Sequence, residues 1–278
     1  MRKTRMTLAV LLGGLAAAAT LPGLALGAAP TVTFKAKAVP IPKPGGGTYP
    51  HTGDILGAGT AFQAEFSIDG SGYGATPQRP QGGIPPLSSV NFYSPAGVKL
   101  NYAPFGTCTE AVLENTGPSG CPKSSVASPV GNALGEVSFG TERVPENATL
   151  QAFFAPGNSL LFYVQGTSPA ALEFVVSGSY VNSGQPPYGL ELKSPVPAIA
   201  TVPGAPLAST KNVNIKVGAA IKKGNKLLSY ITVPKTCPAG GFPVKAELTF
   251  GGSYGGEREF GIPAETVPVS YKVPCPKK

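Results

Sequence analysis

Apolar and polar residues alternate along this chain, and the alternation recurs from one end to the other. In "AFQAEFSID", Phe62, Ala64, Phe66 and Ile68 fall on one side, and Gln63, Glu65, Ser67 and Asp69 on the other. A period of two is that of an extended strand, and the division places one face in a core. "ALEFVVSGSYV" repeats it with Leu172, Phe174 and Val176 against Glu173, Val175 and Ser177, and "NVNIKV" with Val213, Ile215 and Val217 against Asn212, Asn214 and Lys216. "VKAELTF" aligns Val244, Ala246, Leu248 and Phe250, and "VPVSYKV" aligns Val267, Val269, Tyr271 and Val273. Further strands are expected over 31–38, 87–92, 133–139, 147–154, 159–165 and 227–233.

The one helix-like piece is "TCTEAVLEN", ended by Thr116, Gly117 and Pro118, and it is too short to stand without tertiary support. Many short strands with almost no helix predict an all-β fold, an antiparallel β-sandwich that buries one face of each sheet. The 37 Gly and 31 Pro sit mostly between the alternating runs, where turns belong. Two stretches rich in them, 40–60 and 70–86, read as long surface loops. Residues 29–278 are expected to form a single domain, with a sub-boundary near 195–211 in "SPVPAIATVPGAPLASTKN" as the alternative.

The chain opens with Arg2, Lys3 and Arg5, an apolar stretch from Met6, and small residues at Ala25, Gly27 and Ala29. This is the layout of a secretory signal peptide over 1–28, with Pro22 favouring cleavage over a retained anchor. Cys108 is the first cysteine, so no lipid-bearing cysteine stands at the cleavage region. No later segment is apolar enough to cross a membrane as a helix, which predicts a secreted or cell-surface product. The formal charge of +8 falls by the leader's three cations, leaving a mildly basic protein.

Four cysteines in an exported chain imply two disulfides among three connectivities. Proximity favours Cys108 with Cys121 and Cys237 with Cys275. No Cys-x-x-Cys spacing exists for a redox site, and the cysteines do not form the close pairs of a zinc ribbon. "SPAGVKLNYAPFGTCTEAVLENTGPSGCPKSSVASPVG" and "VPKTCPAGGFPVKAELTFGG" with "VSYKVPCPKK" resemble the Cys-Pro motifs of a family of exported, functionally uncharacterised proteins from high-GC actinobacteria. Ser128 and Pro129 sit where that motif runs straight on to its Val-Gly. The resemblance implies export, a β-sandwich and disulfides, and supplies no catalytic residue.

Reactive chemistry has little to draw on. His51 is the sole histidine, Asp54 and Asp69 the sole aspartates, and tryptophan is absent. "GGSYG" places Ser253 where an esterase nucleophile would stand, but "EREFGIP" leaves the turn as a strand, whereas the motif needs a strand–turn–helix. Glu257 and Glu259 share a strand face around Arg258 and read as solvated positions rather than opposed glycosidase carboxylates. Asn147 in "ENAT" is an incidental sequon. Lys211, Lys216, Lys222, Lys223 and Lys226, with Lys277 and Lys278 at the end, are candidates for attracting an anionic polymer, or for protecting strand edges and turns. No arginine-rich or aromatic-interleaved run suggests nucleic acid.

The expectation is a non-enzymatic secreted or cell-surface module with a structural or interaction role. It would have no cofactor and no metal, and its partner would be a cell-envelope polymer or another surface protein. The alternative is a binder of an anionic or carbohydrate envelope ligand through Lys211–Lys226.

Overall fold

The computed structural model describes residues 29–139, 142–202, 205–254, 258–259 and 262–276. The signal peptide expected over 1–28, and Glu257, Lys277 and Lys278, lie outside the described residues, as does the side chain of Glu259.

The strands are β1 (Thr31–Val39), β2 (Gly59–Asp69), β3 (Leu87–Pro95) and β4 (Lys99–Leu100). After a short helix α1 (Glu110–Thr116) come β5 (Gly131–Phe139), β6 (Glu142–Ala155), β7 (Ser159–Ser168), β8 (Leu172–Asn182) and β9 (Tyr188–Pro195). The remainder are β10 (Ser209–Val217), β11 (Ala220–Lys223), β12 (Lys226–Ser229), β13 (Ile231–Thr232), β14 (Phe242–Phe250), β15 (Ser253–Tyr254), β16 (Arg258–Glu259) and β17 (Glu265–Val273). The stretch 227–233 therefore divides between β12 and β13, on either side of the buried Tyr230.

The fold is all-β and sandwich-like, and its facing layers belong to one continuous antiparallel sheet. The long strands run in the order β17-β14-β3-β9-β8-β7-β6-β5-β10-β2, with β1 paired to the free side of β2. The strands after 195–211 are interleaved with the earlier ones. β10 sits between β5 and β2, and β14 between β3 and β17. The sheet rolls until β1 lies alongside β17. Ten antiparallel pairings separate these two strands along the sheet, so they run in the same direction. Among the described residues no strand ladder joins them. Aromatic packing closes the seam: the Phe34 ring lies 6.4 Å from Tyr271, 6.3 Å from Phe92 and 4.8 Å from Phe66. Opposite layers also meet directly, with Phe62 of β2 4.9 Å from Phe92 of β3.

Alternation sets what faces inward. On β14, Phe242, Val244, Ala246, Leu248 and Phe250 are all at most 5 % exposed, while Lys245, Glu247 and Thr249 point out. The outer positions of β1 and β2 include Lys35, Lys37, Gln63, Glu65 and Asp69. A polar exterior around an apolar interior is the reverse of a membrane-spanning barrel. Among the described residues no helix is long and apolar enough to cross a membrane.

One outer patch is apolar and is covered. Phe153, Leu161, Tyr163 and Val175 face outward on β6, β7 and β8, and they bury Leu113 of α1, which is 0 % exposed. The Thr109 side chain accepts from Val112 N–H to cap this helix, and Gly117 at φ 63° ends it. Cys108–Cys121 spans the helical excursion, and Cys237–Cys275 ties the approach to β14 to the end of β17.

Their loops span 13 and 38 residues of sequence. Cross-links of that size should contribute about 3 and about 4 kcal/mol through the unfolded chain. Replacing Cys237 and Cys275 by serine is therefore expected to lower the urea midpoint more than replacing Cys108 and Cys121.

Candidate functional site

Rolling eleven long strands into one wall encloses more space than their inward side chains fill. A cavity of about 280 Å³ runs between the layers. Phe62, Phe92, Phe162, Phe174, Val213 and Val217 line it and point inward, yet each is only half-buried. These inward-pointing side chains leave part of their surface along the cavity wall. A smaller recess of about 80 Å³ shares Leu87, Ala133, Val164, Phe174, Val196 and Thr210 with the main space and lies beneath the β9–β10 connection. Apolar carbon dominates the lining. The hydroxyl-bearing exceptions are Thr60, Ser94, Ser194, Thr210 and Tyr180, and no charged side chain lines the main cavity among the described residues.

The end of the barrel reached by the β3–β5 and β10–β14 connections is plugged by aromatic rings. Tyr230 is 0 % exposed and packs 4.7 Å from Phe154 and 5.0 Å from Tyr102, and Phe105 lies 4.4 Å from Phe154. The Tyr102 and Tyr230 hydroxyls share a hydrogen bond of 2.8 Å. The Tyr180 hydroxyl, on β8, interacts with that of Tyr230, and its ring lines the cavity. Burial pushes all three phenols above the ordinary tyrosine value, Tyr180 to about 12. A phenolate there would lose its hydration without gaining a cation.

At the opposite end the polar groups are already committed. The buried Glu146 borders the recess, and its carboxylate accepts from the backbone N–H groups of Ser168 and Ala170 at 3.1 and 2.9 Å. Outside the wall the 70–86 loop is pinned by Arg143. That side chain donates to the Tyr73 carbonyl and to Ser209 Oγ, and lies 3.5 Å from a Glu136 carboxylate oxygen. Burial lowers the pKa of Arg143, against the pull of Glu136. A second outer cluster joins β3, β9 and β14. Tyr93 Oη donates to one of Glu191 and Glu247, lying 3.1 and 2.8 Å from them, and the Lys245 ammonium sits 4.0 Å from the Tyr93 ring centre. Burial would raise the Glu247 pKa, but Lys245 and Tyr93 outweigh it and hold it below the usual range. Both clusters tie strands and loops together.

The lysines singled out in the sequence are not gathered into one site. Lys211 is paired with Glu136 at 3.1 Å, and Lys216 lies five positions along β10 on the outer wall. Lys222, Lys223 and Lys226 sit on the separate β11–β12 hairpin, where Lys223 is opposite Lys226. In the "GGSYG" segment Ser253 lies on β15, which pairs antiparallel with the strand β16 rather than leading into a helix, and Gly251 and Gly252 both take φ +71°. A Cβ on Gly251 would strike the Pro263 carbonyl oxygen. These glycines thus serve backbone geometry. His51 lies in the β1–β2 connection, at the other end of the strands from Ser253, about 25–30 Å away by strand length. Among the described residues no group of His, Cys, Asp and Glu is arranged to hold a metal.

Sequence reasoning missed the cavity and the tyrosines at its end. The inward side chains were legible one strand at a time, but the empty volume is a property of the closed wall. Comparison with protein-family models, curated proteins and solved structures finds no match.

The raised phenols yield a pH expectation. A tyrosine whose folded pKa is raised contributes stability that is complete below its unfolded pKa and lost as pH rises above it. Stability should therefore fall above about pH 10. Tyr102, Tyr180 and Tyr230 should ionise together with unfolding, seen as tyrosinate absorbance rising in step with loss of sheet circular dichroism.

Proposed function

We propose that this protein is an exported, non-enzymatic binding module that holds a small apolar molecule inside its rolled sheet. The supporting observation is the cavity of about 280 Å³, whose inward aromatic and aliphatic walls are left half-covered. Ligand sites are typically concave, mostly apolar and sparing in polar groups, and of about this size or larger. Covering such walls with an apolar guest removes their surface from water at about 25 cal/mol per Å². The two disulfides are compatible with an extracellular setting. The envelope-polymer alternative has less support, since its lysines are dispersed and Lys211 is engaged by Glu136.

A neutral naphthylamine dye, fluorescent in apolar surroundings, tests the reading with the chain lacking its leader. The dye should bind at about 1:1 stoichiometry, with an affinity that salt barely changes because, among the described residues, no charged side chain lines the cavity. Val213→Trp should fill the space, preserve the fold and weaken dye binding more than about tenfold. The chain has no tryptophan of its own, so indole emission then reports the interior directly. Replacing Lys222, Lys223 and Lys226 by alanine should leave dye binding unchanged. Absence of dye binding by the wild type, or equal binding by Val213→Trp, would overturn the proposal.

A further inference from the structure

The chemistry of the cavity wall narrows the guest further, resting on the binding role just proposed. We infer that the natural ligand is a neutral, single-chain lipid of about a dozen carbons, a fatty alcohol or fatty ester in chemical class, whose one polar group meets the Tyr180 hydroxyl.

Three observations carry this. The first is size. A cavity of about 150 Å³ lined by aliphatic and aromatic side chains takes up benzene. One of about 280 Å³ therefore has room for roughly twice as many carbons. The second is charge. Among the described residues no lysine, arginine, aspartate or glutamate lines the main cavity. An ionised head group drawn inside would lose its hydration with nothing to neutralise it, which is severely unfavourable. A neutral hydroxyl or ester loses far less.

The third is the hydroxyl cluster at the plugged end. Tyr102, Tyr230 and Tyr180 bring three O–H donors to two hydroxyl–hydroxyl contacts. When Tyr102 donates to Tyr230 and Tyr230 to Tyr180, a direction the 2.8 Å contact allows, the donor left over is the Tyr180 O–H. Tyr180 is the member whose ring lines the cavity, and its uncovered surface faces that space. An acceptor oxygen on the guest satisfies the remaining donor there, and the alkyl chain runs from it between Phe92 and Phe162 toward the recess at the far end.

Displacement of the bound naphthylamine dye tests this, with decan-1-ol, methyl decanoate and decanoate as competitors at about pH 5.5 and about pH 8. The alcohol and ester should compete equally at both pH values. Decanoate should enter only as its protonated form, so its apparent affinity should fall about tenfold for each pH unit above its pKa. Lengthening the alcohol should tighten binding about fourfold per methylene until about a dozen carbons, and then stop. Tyr180→Phe should weaken the alcohol and ester about three- to tenfold while leaving the dye, which lacks an acceptor oxygen, unchanged. Decanoate competing as well as decan-1-ol at about pH 8 would overturn the neutral-ligand inference. Equal alcohol binding by wild type and Tyr180→Phe would overturn the assignment of the polar contact. In either case dye binding would persist, and with it the binding role. Failure of the dye itself to bind would instead remove the role on which this inference rests.

Discussion

The whole architecture depends on the pairing of β2 with β10. Gln63 meets Asn214 across it, 151 positions apart in sequence. Without that ladder, β1 and β2 would be held to the rest of the sheet only by the two-residue pairing of β2 with β13, and β10 would be an exposed edge. With it, the sheet continues and can roll back on itself. Such a non-local contact carries a loop-closure cost that local hairpins avoid. The cost is offset by apolar burial along both strands: Val213 stands opposite Phe66 and Ile215 opposite Ala64, on the inward face. The cross-links act on the same cost from the other side, by restricting the unfolded chain.

The wall and the interior divide the chemical work. Nearly every strong polar interaction lies on the outside or at the ends: Arg143 with Glu136 and Ser209, Lys245 with Glu247 and Tyr93, and Glu146 with two backbone amides. These contacts tie neighbouring strands and pin the long 70–86 loop to the wall. They leave the centre to side chains that interact only by dispersion and by exclusion of water, so the shape of the enclosed space is set by the wall around it. Apart from the lining hydroxyls of Thr60, Ser94, Ser194 and Thr210, the polar exception is the cluster of Tyr102, Tyr230 and Tyr180 at the base of the chamber.

The strands were legible because alternation is local. Phe62, Ala64, Phe66 and Ile68 declare a face within seven residues, and the structure turns three of them into buried core. The pairing of the cysteines was readable from proximity, and the helical turn from "TCTEAVLEN" and its Gly-Pro stop. Phe153 and Phe154 show where local reading ends. Adjacent strand residues face opposite ways, yet both are 0 % exposed, because α1 covers one and the aromatic plug covers the other. Nothing in "LQAFFA" announces either cover. The cavity has the same character: the half-coverage of Phe62 and Phe92 follows from how far the sheet rolls, and that is decided by pairings between distant residues.

The seam between β1 and β17 follows from parity. Strands that alternate in direction can close a ring antiparallel throughout only when their number is even, and here eleven long strands line the wall. An odd count leaves one junction where neighbours must point the same way, and chain topology assigns it to the first and last strands. That junction is held by Phe34 against Tyr271 rather than by a backbone ladder. Widening it breaks side-chain contacts and no strand hydrogen bonds, whereas widening any other line of the wall breaks a full ladder. The wall is thus compliant in one place and stiff elsewhere, so a change in the girth of the chamber would fall on this seam and leave the register that defines it intact.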